Sequence, residues 1–242
     1  VSALGVPEEA LLVLDAGEDI VRLQPDVPGI FGMLRDAGEI MAITRNDAVV
    51  HERKDAYVNP EFGKGPGLVT QDIDLRIFTS LWKRVWAVDL KLPNRRLRSL
   101  QFFDSAGTAI HKVYFLRKPS WEVFTAIRSR YALYNAPAIE RGEPGAGFYP
   151  VYEDRSPDAD EQQNIREAWD KLQDTHHFAS LVAKVRLPRP RLMRVVEGIW
   201  TERLSDGAHR SVLTAAAASG QPIMAFVGNP ACIQIYSGPV QK

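Results

Sequence analysis

Five histidines, one cysteine and a short Asp/Arg cluster are the side chains through which this 242-residue sequence could do chemistry. His176 has the most suggestive surroundings. With Asp158 or Asp160 as an N-cap, residues 160–185 read as one helix. At about 100° per residue, Ile165, Trp169, Leu172, His176, Ala179 and Ala183 fall on one stripe, with His176 at its centre. Phe178, Leu181 and Val185 lie opposite, so the helix is apolar on two sides and is expected to be sandwiched or to face a ligand. An imidazole there has two readings. One is a core histidine satisfied by a hydrogen bond. The other is an axial metal ligand aimed into a flat apolar pocket, the role imidazole takes for haem iron. Spacing alone does not choose between them.

The remaining candidates read more plainly. His177 lies about 100° round the helix from His176 and reads as a partly exposed surface residue. His51 and His111 fall in strands, His111 on the polar face of a hairpin, and His209 sits near a helix start. In DIDLRIF (72–78), Ile73, Leu75 and Ile77 share one strand face and Asp74, Arg76 and Phe78 the other. Asp72 and Asp74 beside Arg76 read as a local charge network. The basic stretch 187–194 reads as a solvated turn into the next helix. No GxSxG elbow, phosphate loop, HExxH or GxGxxG occurs.

Composition narrows the classes. Thirty basic residues balance thirty acidic ones, so no global positive field favours nucleic acid, although Arg95, Arg96 and Arg98, or 186–194, could form a local patch. A lone cysteine, Cys232, rules out an intramolecular disulfide and a Cys-rich zinc site, and fits a reducing compartment. No run of about 18 apolar residues predicts a membrane span. The opening VSALGVPEEALLVL lacks the basic and apolar regions of a signal peptide.

The elements that would position these residues show an internal echo. IMAITRNDAV (40–49) and IMAFVGNPAC (223–232) match at Ile40/Ile223, Met41/Met224, Ala42/Ala225, Asn46/Asn229 and Ala48/Ala231. Both read as hairpins turning at Asn46-Asp47 and Asn229-Pro230, and both follow a short helical segment. A second hairpin is expected over 99–104 and 109–116, and a helix over 119–133 with Pro119 in its first turn. The offset of 183 places the second counterpart of the strand at 72 near position 255, past Lys242. The expected fold is therefore α+β. Its two similar halves are each a large antiparallel sheet with helices, the second incomplete. Residues 1–134 form the first half, 135–160 a Pro/Gly/acid-rich linker and 161–242 the start of the second half.

GEIMAITRNDAVVHE, DIDLRIF, SLQFFDSAGTAIHKVY, DTHHF and IMAFVGNPACIQIYSGPV together resemble the bacterial haemin-degrading and haem-transport proteins of the HemS/ChuS type, in the same order and over nearly the whole chain. The resemblance implies two similar halves with haem held between them. It makes His176, in Asp174-Thr175-His176, the proximal iron ligand, and Arg76 a distal residue that holds a water or oxygen ligand or pairs with a propionate. It implies a cytoplasmic protein of haem utilisation and iron acquisition that accepts imported haem and passes it on or degrades it. Its partner would be a haem oxygenase or an electron donor. The alternatives are a haem-degrading oxygenase and an interaction module without a ligand.

Overall fold

The computed structural model describes residues 5–14, 16–134, 155–173 and 175–240; the side chains of 175, 176, 179, 180 and 183 lie outside the description. The described chain forms two compact units. One comprises 5–134 with 221–240, and the other 155–220. The fold is α+β with antiparallel sheets, as expected.

In the first unit the elements are α1 (Glu9–Leu14), β1 (Ile20–Leu23), α2 (Val27–Leu34), β2 (Ile40–Arg45), β3 (Val50–Asp55), β4 (Gly67–Val69), β5 (Asp74–Ile77), β6 (Arg84–Leu92), β7 (Arg95–Phe103), β8 (Ala109–Phe115) and α3 (Lys118–Tyr131). In the second unit are α4 (Ala159–Asp170), α5 (Thr175–Val185), α6 (Arg189–Val195) and α7 (Ala208–Ser219). The chain then returns to the first unit as β9 (Pro222–Asn229) and β10 (Cys232–Pro239).

Six strands form one sheet in the order β1-β6-β7-β8-β2-β3, and four form another in the order β4-β5-β10-β9. All pairings are antiparallel. One core holds apolar residues of both sheets, among them Ile40, Leu75, Ile77, Leu100, Phe102, Val113 and Cys232, together with Phe31 of α2 and Phe124 of α3. Strand alternation delivers them: in β5, Leu75 and Ile77 are buried while Asp74 and Arg76 are not. Asp26 caps α2 by accepting from Gly29 N at 3.1 Å, and it accepts from the Tyr131 hydroxyl at 3.2 Å. A Cβ at Gly29 would lie 2.2 Å from Asp26 Oδ2 and 2.3 Å from Tyr131 Oη, so only glycine lets helix and cap approach.

Three expectations change. Chain order places the hairpin at 222–239 with 161–242, yet β10 pairs with β5 and belongs to the first compact unit. Long-range strand pairing, not chain order, sets that boundary. The single helix over 160–185 is two helices. The Trp169 and Phe178 rings meet at 5.3 Å, although nine residues of continuous helix would separate them by roughly 13 Å. Folding back buries both apolar faces at once, in a cluster of Ile165, Leu181, Leu187, Leu192 and Val196. The basic stretch 187–194 is not a solvated turn: it carries Leu187 and Leu192 into that cluster and forms most of α6.

Candidate functional site

Arg76 stands on the face of the four-stranded sheet that points away from the core. Cross-strand register gives its neighbours: Leu68 on β4, Ile233 on β10, and beyond Ile233, Gly228 on β9. Two residues along, Asp74 lies opposite Ile235, which lies opposite Phe226, and Ser237 lies opposite Met224. Directly paired residues share a face, so Leu68, Ile233, Phe226 and Met224 make an apolar shelf on the face that carries Arg76 and Asp74, while Ile235 on the same face is only 5% exposed. Phe226 and Met224 are each 51% exposed. Nη1 of Arg76 donates to Asp74 Oδ1 and, at 3.2 Å, to the Leu75 carbonyl. The sequence showed Arg76 on a polar strand face, but not the shelf, which needs the β10–β5 pairing. The alternation of Met224 and Phe226 was its only local signal.

His176 lies in α5, in the other unit; its side chain, and Asp174, fall outside the described residues. The two candidate site residues therefore belong to different compact units. His177 is exposed, as expected, and His209 sits in the first turn of α7, exposed.

His111 does not lie on a polar sheet face. It is 1% exposed and points into the core beside Trp82 and Phe102, since its alternation in β8 matches Val113 and Phe115. Its Nδ1 is 2.7 Å from the Thr44 hydroxyl and its Nε2 2.7 Å from the Tyr57 hydroxyl, so both ring nitrogens are satisfied. Burial pushes its pKa down to about 3, and the ring is neutral at physiological pH. The Thr44 hydroxyl also lies 3.7 Å from Cys232 Sγ, and burial pushes that thiol up to about 12. These four side chains form a buried hydrogen-bonded row with no solvent access, a structural role rather than a catalytic one. His51, half-buried on β3, has its Nδ1 3.3 Å from the Gln234 carbonyl, and burial lowers its pKa.

Two charge clusters serve the scaffold of the first unit. Asp89 accepts from Arg96 at 2.6 and 2.9 Å and from Arg98 at 3.3 Å, while the Arg98 guanidinium stacks 4.6 Å from the Trp121 ring centre. That occupies two of the arginines in the first of the two basic stretches, 95–98. Glu9 is buried in a network the sequence did not reveal: it accepts from Arg84 Nε and Trp86 Nε1, all at 2.8 Å. Among the described residues, no three His, Cys, Asp or Glu side chains cluster as a metal site. No described helix is long and apolar enough to cross a membrane.

With this geometry in place, comparison with known proteins is specific. Residues 5–131 and 186–242 match the family of the Haemin-degrading HemS.ChuX domain. The hemin transport protein HmuS of Yersinia pestis is 30% identical over 241 residues, which cover 99% of this chain and 68% of that protein. The crystal structure of holo-PhuS, a heme-binding protein from Pseudomonas aeruginosa, superposes with a TM-score of 0.86 at 37% identity, over all of this chain and 70% of that one. The heme degrading enzyme ChuS of Escherichia coli O157:H7 superposes with a TM-score of 0.87 at 26% identity, over 69% of its chain. The chain belongs to the HemS/ChuX haemin-degrading family.

Proposed function

We propose that the chain is a cytoplasmic haem-binding protein that accepts imported haem and passes it on or degrades it, with His176 as iron ligand and Arg76 on the distal side. The observation that carries this reading is the shelf around Arg76. Haem is a flat, largely apolar macrocycle with two carboxylates. A ligand of that shape wants a planar apolar wall and a few fixed polar groups. Leu68, Ile233, Phe226 and Met224 fit the first need, and the Arg76 guanidinium, permanently charged, fits the second. Bound haem would supply the iron chemistry itself. This chain's part would be to hold the ring and to offer it the Arg76 cation. Asp74 fixes the Arg76 guanidinium in position beforehand. The assignment of His176 rests on the family likeness and on its place in α5; a core histidine is the competing reading.

Ferric haem titrated into the chain, followed at the Soret band, tests the proposal. Saturable binding is expected. His176→Ala should weaken it about tenfold or more, or change the iron spin state; unchanged spectra and affinity would remove His176 as ligand. Arg76→Ala should alter the rates at which small anions reach the iron more than it alters haem affinity. Identical rates would take Arg76 out of the site. The likeness to a heme degrading enzyme favours a second reading, oxidative ring opening. With reductant and O₂, release of a linear tetrapyrrole in the presence of catalase supports the enzyme; haem loss that catalase abolishes supports the carrier. No Soret change on adding haem would leave an interaction module.

A further inference from the structure

The outer face of the six-stranded sheet carries a cleft of about 380 Å³ over β2 and β8. Strand alternation decides what lines it. In β2, Ile40, Ala42 and Thr44 turn inward, so Ile43 and Arg45 turn out. In β8, His111, Val113 and Phe115 turn inward, so Lys112 and Tyr114 turn out. Ile43 stands directly opposite Lys112 across the two strands. Ile43 and Tyr114 therefore make an apolar side to the cleft, and Arg45 and Lys112 make a cationic one. Arg76 stands on the other sheet, so this cleft is separate from the shelf.

The facing wall is the segment that leads into α1. Glu9 fixes that segment: its amide donates to the Gly107 carbonyl at 3.2 Å, and its buried carboxylate holds Arg84 and Trp86. Glu8, the residue before it, turns into the cleft and accepts from both cations, from Arg45 Nη2 at 2.5 Å and from Lys112 Nζ. Burial raises the pKa of Glu8, but the hydrogen bonds and charges of Lys112 and Arg45 outweigh it and bring it below the ordinary carboxylate value, so Glu8 is ionised. Burial, with the charges of Glu8 and Glu52, raises the Tyr114 phenol, which stays neutral. One carboxylate between two cations leaves a single positive charge unbalanced. The adjoining strand does not cancel it, because Glu52, opposite Ile43, and Lys54, opposite Met41, offset each other. Donors are in excess too: a guanidinium and an ammonium each carry more N–H groups than the one that Glu8 engages.

We propose that this cleft is a binding site for a small organic monoanion, a carboxylate on an apolar body. The carboxylate lies beside Glu8 and takes the spare donors of Arg45 and Lys112, while the body rests on Ile43 and Tyr114. A monoanion matches the one unbalanced charge, and a dianion would face Glu8 with a charge left over. The volume falls within the roughly 300–1,000 Å³ of small-molecule sites. The competing reading makes Glu8 a second clamp on α1 and gives the two cations no other purpose. Against it stands Glu9, which already fixes that segment through a contact whose carboxylate is 4% exposed, whereas Glu8 is 18% exposed at an open cleft.

The probe is 3-phenylpropionate, with 3-phenylpropanamide as its uncharged match, titrated into the chain carrying isotope-labelled Ile and Met methyl groups and followed by NMR. Saturable shifts of the Ile43 methyl are expected with the acid, with a Kd of about 1 mM. The amide should bind about tenfold more weakly. Lys112→Met and Arg45→Met should each weaken the acid about tenfold. Glu8→Gln keeps the shape and removes a negative charge, so it should tighten the acid about tenfold; a Glu8 that only clamps α1 predicts no such gain. The Met224 methyl, on the shelf, should not move. Equal binding of acid and amide, an affinity indifferent to both cation variants, or no saturation of wild type would overturn the proposal. Binding by Glu8→Gln alone would also overturn it, since Glu8 would then be the plug of a filled site. So would shifts at Met224 in place of Ile43, which would put the probe on the shelf.

Discussion

Acid should weaken this protein through His111 before the bulk of its carboxylates titrate. In the unfolded chain the imidazole titrates near 6.5, and in the folded one burial holds it at about 3. Above pH 6.5 both states leave it neutral and stability does not depend on it. Below that, the unfolded chain takes up a proton that the native core refuses, so stability falls with pH until about pH 3. One unit of mismatch is worth about 1.4 kcal/mol, so at pH 5 the loss from this group is about 2 kcal/mol. The ring resists protonation because the fully buried site strips the imidazolium of water. The assay is urea unfolding of wild type and His111→Gln at pH 7, 6 and 5. At pH 7 the substitution should cost about 1–3 kcal/mol through partners left unpaired in the core. Its pH profile should then be flatter than wild type by about 2 kcal/mol over the range. His51, also lowered by burial, contributes equally to both proteins and cancels. Parallel profiles would refute the claim that the buried ring stays neutral by exclusion.

Glu9→Ala should destabilise the protein by about 3–5 kcal/mol, seen as a fall in Tm, because it strands the buried Arg84 guanidinium and the Trp86 indole. A loss below about 1 kcal/mol would show that the pair is open to water. Cys232 should resist a disulfide-exchange reagent in the native protein and react at once in denaturant, since the thiol is buried and held up at about 12. Rapid labelling of the native chain would show that the core opens there.

Much of the scaffold is legible in the sequence because it follows local periods. The alternation in 72–78 places Ile73, Leu75 and Ile77 inward and Arg76 outward, and Pro119 marks the first turn of α3. The break between α4 and α5 is not legible, since an apolar stripe is equally satisfied by one sandwiched helix or by two that fold together. The burial of His111 is also hidden. Period-two reasoning gives two faces but not which one is covered, and only Thr44 and Tyr57, 67 and 54 residues away in the chain, make burial tolerable. The shelf round Arg76 depends on a strand pairing across about 150 residues, which no local pattern encodes. Arg76 itself was visible, and its surroundings were not.

Asn46 and Asn229 stand at the tips of the β2–β3 and β9–β10 hairpins; Asn46 donates to the Gly228 carbonyl at 3.0 Å and Asn229 to the Arg45 carbonyl at 3.2 Å, and this cross-bonding has a dynamic consequence. Hairpin tips usually fray first, and their amides exchange with solvent on the fastest timescale of the fold. Here each tip is stitched to the strand end of the other, so neither can breathe alone: releasing Asn46 frees the Gly228 carbonyl, and releasing Asn229 frees those of Arg45 and Ile110. The amides of Val49 and Cys232 are tied to the same two side chains and should therefore open in a single concerted event, turning what is ordinarily the loosest part of a sheet into its latch.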